Sequence, residues 1–129
     1  MRLMRFSRAA VIGILLSLAL NACVPTNVQR SPSELAAIQN ADAMAQQGQF
    51  DQAAQAYLAL AAQSRGHADS YRLKAAEAWR QEGQIDRAAD TLAAINRERL
   101  TGDEPLRLDL LRAELALKHN DFATAMRWP

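Results

Sequence analysis

Apolar residues recur along most of this chain at intervals of three and four, the spacing of one helix face. Leu35, Ile38, Ala41 and Ala45 form one such stripe, and Tyr71, Leu73, Ala76 and Trp79 lie on another segment of the same kind. The punctuation between stripes is sharp. Ser31-Pro32-Ser33-Glu34 reads as a capping box with Pro in the first helical position. The pattern predicts helices over about Pro32–Gln47, Phe50–Ser64, Ala68–Glu82, Ile85–Ile95 and Pro105 to about His119. Asn96–Glu104 is then the longest connector, with Thr101-Gly102-Asp103 as turn chemistry. A sixth helix is expected to begin near Phe122.

The turns repeat. Gly48-Gln49-Phe50-Asp51-Gln52-Ala53, Gly83-Gln84-Ile85-Asp86-Arg87-Ala88 and Asn120-Asp121-Phe122-Ala123-Thr124-Ala125 align at spacings of 35 and 37 residues. Ile38, Leu73 and Leu110 share a column, as do Ala41, Ala76 and Ala113; Tyr57 matches Leu92, and Leu60 matches Ile95. Gly48 and Gly83 suit the left-handed residue that ends a helix, and Asn120 is the next best residue there. Asp51 and Asp86 fall in the first turn of the helices that follow, where a carboxylate meets the positive end of the dipole. Ala53, Ala88 and Ala125 are expected where paired helices cross.

These units resemble the tetratricopeptide helical hairpin. The expected fold is all-α: antiparallel helical hairpins stacked as a tetratricopeptide-like right-handed array of about two and a half repeats. Such an array stops short of three units and a polar cap, which points to a domain incomplete at its C-terminus, a fragment or truncated product. Leu115, Leu117, Phe122, Met126 and Trp128 are then expected on an apolar end face awaiting the missing element.

The N-terminal stretch has a different pattern. Arg2, Arg5 and Arg8 precede Ala9–Leu20, a run without charge. Twelve helical residues span about 18 Å, short of a hydrocarbon core of about 30 Å. This is the layout of a secretory signal. Leu20-Asn21-Ala22-Cys23 resembles the bacterial lipoprotein box. The resemblance makes Cys23 the lipidation site, its thiol carrying a diacylglycerol and its new amino terminus acylated, with palmitate among the acyl groups. At about 0.8 kcal/mol per buried CH₂, two or three chains anchor stably. The chain then divides into a lipoprotein signal peptide (1–22), a tether (23–31) and a helical domain (32–129). In Gram-negative lipoproteins of the type this segment resembles, Asp after the Cys tends to retain the protein in the inner membrane; with Val24 there, the resemblance implies the periplasmic face of the outer membrane.

Composition narrows the function. Half the residues are hydrophobic and the formal charge is +1. Without Arg2, Arg5 and Arg8, twelve basic residues face fourteen acidic ones, a formal −2. That balance argues against nucleic acid as a partner. Cys23 is the single Cys, so no disulfide framework or multi-Cys metal site forms within the chain. His67 and His119 have no ligand spacing around them, and the pairing of His67 with Asp69 reads as solvated loop residues. The carboxylates are expected at scattered solvent-facing positions, and Arg72, Lys74, Arg80 and Arg87, interleaved with Glu77, Asp86 and Asp90, as a solvated mixed face. No phosphate loop, dinucleotide fingerprint or nucleophile elbow appears. The expectation is a non-enzyme without cofactor or metal.

Leu73–Met126, with its Gly-containing turn and the Lys118-His119-Asn120-Asp121-Phe122 segment, resembles the amino-terminal domain of the penicillin-binding protein activator lipoproteins. The resemblance implies an outer-membrane lipoprotein that positions or activates a bifunctional peptidoglycan synthase (a penicillin-binding protein). The alternative is a scaffold lipoprotein of tetratricopeptide type, bound to another periplasmic protein in outer-membrane assembly or pilus and secretin targeting.

Overall fold

A computed structural model describes residues 29–125, with side chains up to residue 120. The expected signal peptide, Cys23 and most of the expected tether lie outside the described residues, as do Met126, Trp128 and the side chains of Phe122 and Ala125.

Among the described residues five helices follow one another: α1 (Pro32–Gln46), α2 (Phe50–Gln63), α3 (Ala68–Gln81), α4 (Ile85–Ala93) and α5 (Glu104–Ala125). A single 3₁₀ turn, Arg97–Arg99, sits in the connector before α5. No strand occurs among the described residues. The helices pack in sequence as two hairpins, α1–α2 and α3–α4, with α5 opening a third unit. The fold is an all-α helical repeat array.

The first two repeats form for the reasons read from the sequence. Ser31 Oγ accepts from the Glu34 N–H at 3.1 Å, capping α1. Each first helix of a pair ends in the same motif. Gly48 N–H donates to Ala45 O and Gln49 N–H to Met44 O; 35 residues on, Gly83 N–H donates to Arg80 O and Gln84 N–H to Trp79 O. This 6→1 and 5→2 pairing is the Schellman motif, which needs a residue in the left-handed region. Gly48 and Gly83 supply it, at φ 77° and 82°.

The core is built from the aligned columns. Ala41, Ala53, Ala76 and Ala88 are wholly buried, and Tyr57, Leu60, Leu92 and Ile95 fill the space around them. Small residues at the crossings let backbones approach, and large ones fill the layer between. Leu35 departs from its expected stripe and is 46% exposed, while Ile38, one turn on, packs against the core. The second hairpin is shorter than expected, α4 ending at Ala93 rather than Ile95.

The third unit differs most. In α5 the buried residues are Leu108, Leu111 and Leu115, whereas Leu110 is 60% exposed and Ala113 is exposed. The structural register is therefore 35 residues throughout: Ile38, Leu73, Leu108, then Ala41, Ala76, Leu111. The expected pairings of Leu110 with Leu73 and Ala113 with Ala76 are displaced by two residues. At a constant repeat of 35, the position after Gly48 and Gly83 is Lys118. A Lys in the left-handed region costs about 1–2 kcal/mol, and the surrounding Ala, Leu, Glu and Lys favour helix. Residues 118–122 are accordingly not a turn, and α5 continues to Ala125 with no new helix at Phe122. Leu115, expected on an open end face, is instead 5% exposed in the core. Leu117 is open, at 65%.

Candidate docking groove

Charged side chains couple the first helices of successive repeats. Lys74 Nζ donates to Asp42 at 2.9 Å, joining α3 to α1. Arg107 Nε donates to Glu77 at 2.9 Å, joining α5 to α3, and Arg80 lies 3.5 Å from Glu114. Arg87 and Asp51 link α4 to α2 at 3.7 Å. Of the residues expected to form a solvated mixed face, Lys74, Glu77, Arg80 and Arg87 are thus staples between helices, while Asp86 and Asp90 are exposed. Partners 30 or more residues apart give no signal in local spacing. Asp69 is a second correction: it is not a solvated loop residue but 4% exposed in the first turn of α3, paired with Arg72 at 2.7 Å.

One polar cluster looks chemically suggestive. Tyr71 donates to Glu34 at 2.6 Å, Ser64 donates to Glu34 at 3.3 Å, and Arg30 Nε donates to Tyr71 Oη at 3.0 Å. His67 stands beside them, its half-buried ring 3.8 Å from Glu34 through Nδ1. That nitrogen has no hydrogen-bond partner among the described residues. The Tyr71 hydrogen bond holds the Glu34 carboxyl below the usual carboxylate range. Burial and the Glu34 carboxylate push the Tyr71 hydroxyl up to about 12. Ser64 Oγ gives its proton to a carboxylate and accepts the His67 backbone N–H; no imidazole is placed to activate it. The cluster ties α1, α2 and α3 together. A related tie lies lower down: Asp42 accepts from Tyr57 and Lys74. Burial opposes its charge, but the Tyr57 and Lys74 bonds prevail and hold the carboxyl below its ordinary value. Burial, then Asp42, raises the Tyr57 hydroxyl.

A concavity of about 600 Å³ lies elsewhere, between α4 and α5. Its floor is apolar: Ile85, Ala89, Leu92 and Ala93 from α4, Leu115 and Ala116 from α5. Its rims are polar and differ in character: acidic on one side, with the Arg112 guanidinium and an imidazole on the other. Asp86 and Asp90 line the α4 side, Arg112 and His119 the α5 side. Arg112 Nη2 also donates to Leu92 O at 3.2 Å, close to the last turn of α4. A cation there complements the negative end of the helix dipole. His119, expected to precede a turn, lies instead within α5 and on this rim.

This arrangement suits the apolar face of a helix, with cations toward Asp86 and Asp90. It offers no cluster of three or more metal-ligating groups among the described residues. No described helix is long and apolar enough to cross a membrane. Sequence reasoning missed the groove, because Ala89, Ala93 and Ala116 look like ordinary helix filler. The 35-residue register of Leu108, Leu111 and Leu115 was the available signal, since it fixes which side of α5 faces α4. The chain matches no known protein family, no curated protein and no solved structure.

Proposed function

We propose that this chain is a membrane-tethered protein-binding module, and that its α4–α5 groove receives an amphipathic helix of a periplasmic partner. The observation that carries this reading is the groove itself: an apolar floor with acidic and basic rims, at the open side of a helical array. The lipoprotein-like segment ending at Cys23 supplies the tether in this reading, with the outer membrane as its location. The partner that the sequence resemblance supports is a bifunctional peptidoglycan synthase, which binding would position or shift toward an active conformation.

A second reading, a scaffold lipoprotein serving outer-membrane assembly or secretin targeting, is favoured by one observation. Residues 118–122, which carry part of the resemblance to the synthase activators, are helix and not turn.

Glycan polymerisation by a purified bifunctional synthase, with and without the full chain, separates the two. The first reading expects stimulation, lost on Ala89→Arg, which fills the groove from an exposed position. No stimulation by the unaltered chain removes the synthase as partner. Stimulation that survives Ala89→Arg removes the groove as the binding site.

A further inference from the structure

The α4 wall of the groove is a second copy of a wall that is already filled. Thirty-five residues before Ile85, Asp86, Ala89 and Leu92 stand Phe50, Asp51, Ala54 and Tyr57 of α2. In that first copy Ala54 and Tyr57 are buried, and Asp51 holds a cation. Arg87 of α4 lies 3.7 Å from Asp51, and its guanidinium stacks over the Trp79 ring of α3, 4.8 Å from the centroid. Arg87 thus fixes α4 against both α2 and α3. In the second copy the counterparts are open. Ala89, Asp86 and Asp90 are exposed, and neither acid makes an ion pair among the described residues.

The helix that fills the first wall shows what the second one asks for. α4 turns Ile85, Ala88 and Leu92 to the core, a spacing of i, i+3 and i+7 on one helix face. The small Ala88 lets the backbones approach. Arg87, beside it, carries the charge that meets Asp51. The pattern is a large apolar residue, a cation two residues on, a small residue three on and a large apolar residue seven on. Charge fixes which side the cation takes in the open groove. Arg112 and His119 line the α5 rim, so a cation is drawn to Asp86 and Asp90 on the α4 rim. Glu114, 35 residues after Trp79, adds nothing to this pull, because Lys118 at 3.2 Å and Arg80 at 3.5 Å already neutralise it.

We propose that the partner helix docks on α4 as α4 docks on α2, and that its recognition element is an Arg or Lys, two residues after the first large apolar residue of its buried face, paired with Asp86. This rests on the groove reading and adds the chemistry of the occupant. A helix with an acid at that position is rejected, because it sets like charge against Asp86 and Asp90.

The probe is a labelled synthetic peptide of residues 83–96 of this chain, which carries the pattern in its natural order. A staple between the peptide's own positions 86 and 90, both exposed in α4, holds it helical, since so short a peptide is marginal as a free helix. Binding to the full chain is followed by fluorescence anisotropy at low salt. The expected result is saturable binding, weakened about fivefold or more by Arg87→Glu in the peptide or by Asp86→Lys in the chain, and recovered when the two reversals are combined. Ala89→Arg in the chain should abolish binding, and Leu110→Glu, on the far side of α5, should leave it unchanged. No saturable binding, binding indifferent to both reversals, or binding lost on Leu110→Glu in place of Ala89→Arg would each overturn the proposal. Synthase stimulation and its loss on Ala89→Arg are read without the peptide, so the groove reading can stand where this one falls.

Discussion

Leu108 and Leu110 lie two residues apart in α5, yet the structure gives them opposite fates: 0% and 60% exposed. Truncating each to Ala is therefore a direct test of the 35-residue register. Leu108→Ala deletes three buried carbons and leaves a cavity lined by neighbours that relax only in part. Comparable core truncations cost about 2–5 kcal/mol. Leu108 is wholly buried at the end of the Ile38–Leu73–Leu108 column, so the upper half of that range applies. Leu110→Ala removes side chain that is mostly in water and should change stability by about 0.5 kcal/mol or less. For a domain of this size, each kcal/mol moves Tm by about 4–8 °C. Leu108→Ala should then lower Tm by about 14 °C or more, and Leu110→Ala by about 4 °C or less. Thermal unfolding followed by far-ultraviolet circular dichroism reads both. If Leu110→Ala is the more damaging, the register is the 37-residue one and the description of α5 is wrong. Equal small losses would mean that α5 does not pack on α3 and α4 at all.

Three further outcomes follow from other parts of the molecule. Gly83→Ala meets no atom within 4 Å, so its cost is the left-handed backbone at φ +82° alone; urea unfolding should show a loss of about 1–2 kcal/mol. The Glu34 carboxyl is depressed in the fold by its bond from Tyr71, so its contribution is present above the unfolded pKa of 4.5 and is lost as pH falls through the lower folded value. Tyr71 is raised from 10 to about 12, so its contribution is complete below pH 10 and is lost as pH climbs toward 12. Tyr71→Phe should flatten the stability profile at both extremes, and an unchanged profile would show that the pair is not formed. Cys23→Ala should move the protein from membrane to soluble periplasm on fractionation; retention in the membrane pellet would contradict lipid anchoring at that residue.

How much of this was legible in the residues depends on the distance over which each feature is specified. The two Schellman turns were legible, because a Gly, its neighbours and the preceding helix settle the geometry within six residues. The Ala crossings and the Tyr57, Leu60, Leu92 and Ile95 layer were legible for a related reason: a repeat prints its core twice, and coincidence of columns is a stronger sign than either copy alone. The third copy misled through the same logic. Asn120-Asp121-Phe122 imitates the turn sequence so well that it drew the alignment to a 37-residue spacing, and Leu110 and Ala113 obligingly completed the columns. α5 could mislead in this way because it has leucines on both sides, at 108, 111 and 115 and again at 106, 110 and 117. Two registers then fit the hydrophobic pattern equally, and only packing against α3 and α4 chooses. What decides the choice is the left-handed position. At a constant 35 residues it falls on Lys118, where a Cβ is costly and no closing contact compensates, so the helix runs on. The polar ties were illegible for a different reason. Glu34 with Tyr71 and Asp42 with Lys74 are set by how helices are stacked, at separations of 37 and 32 residues. The second apolar side of α5 is thus the source of the misalignment: it offers a complete set of columns to the alignment while Leu106, Leu110 and Leu117 stay in water.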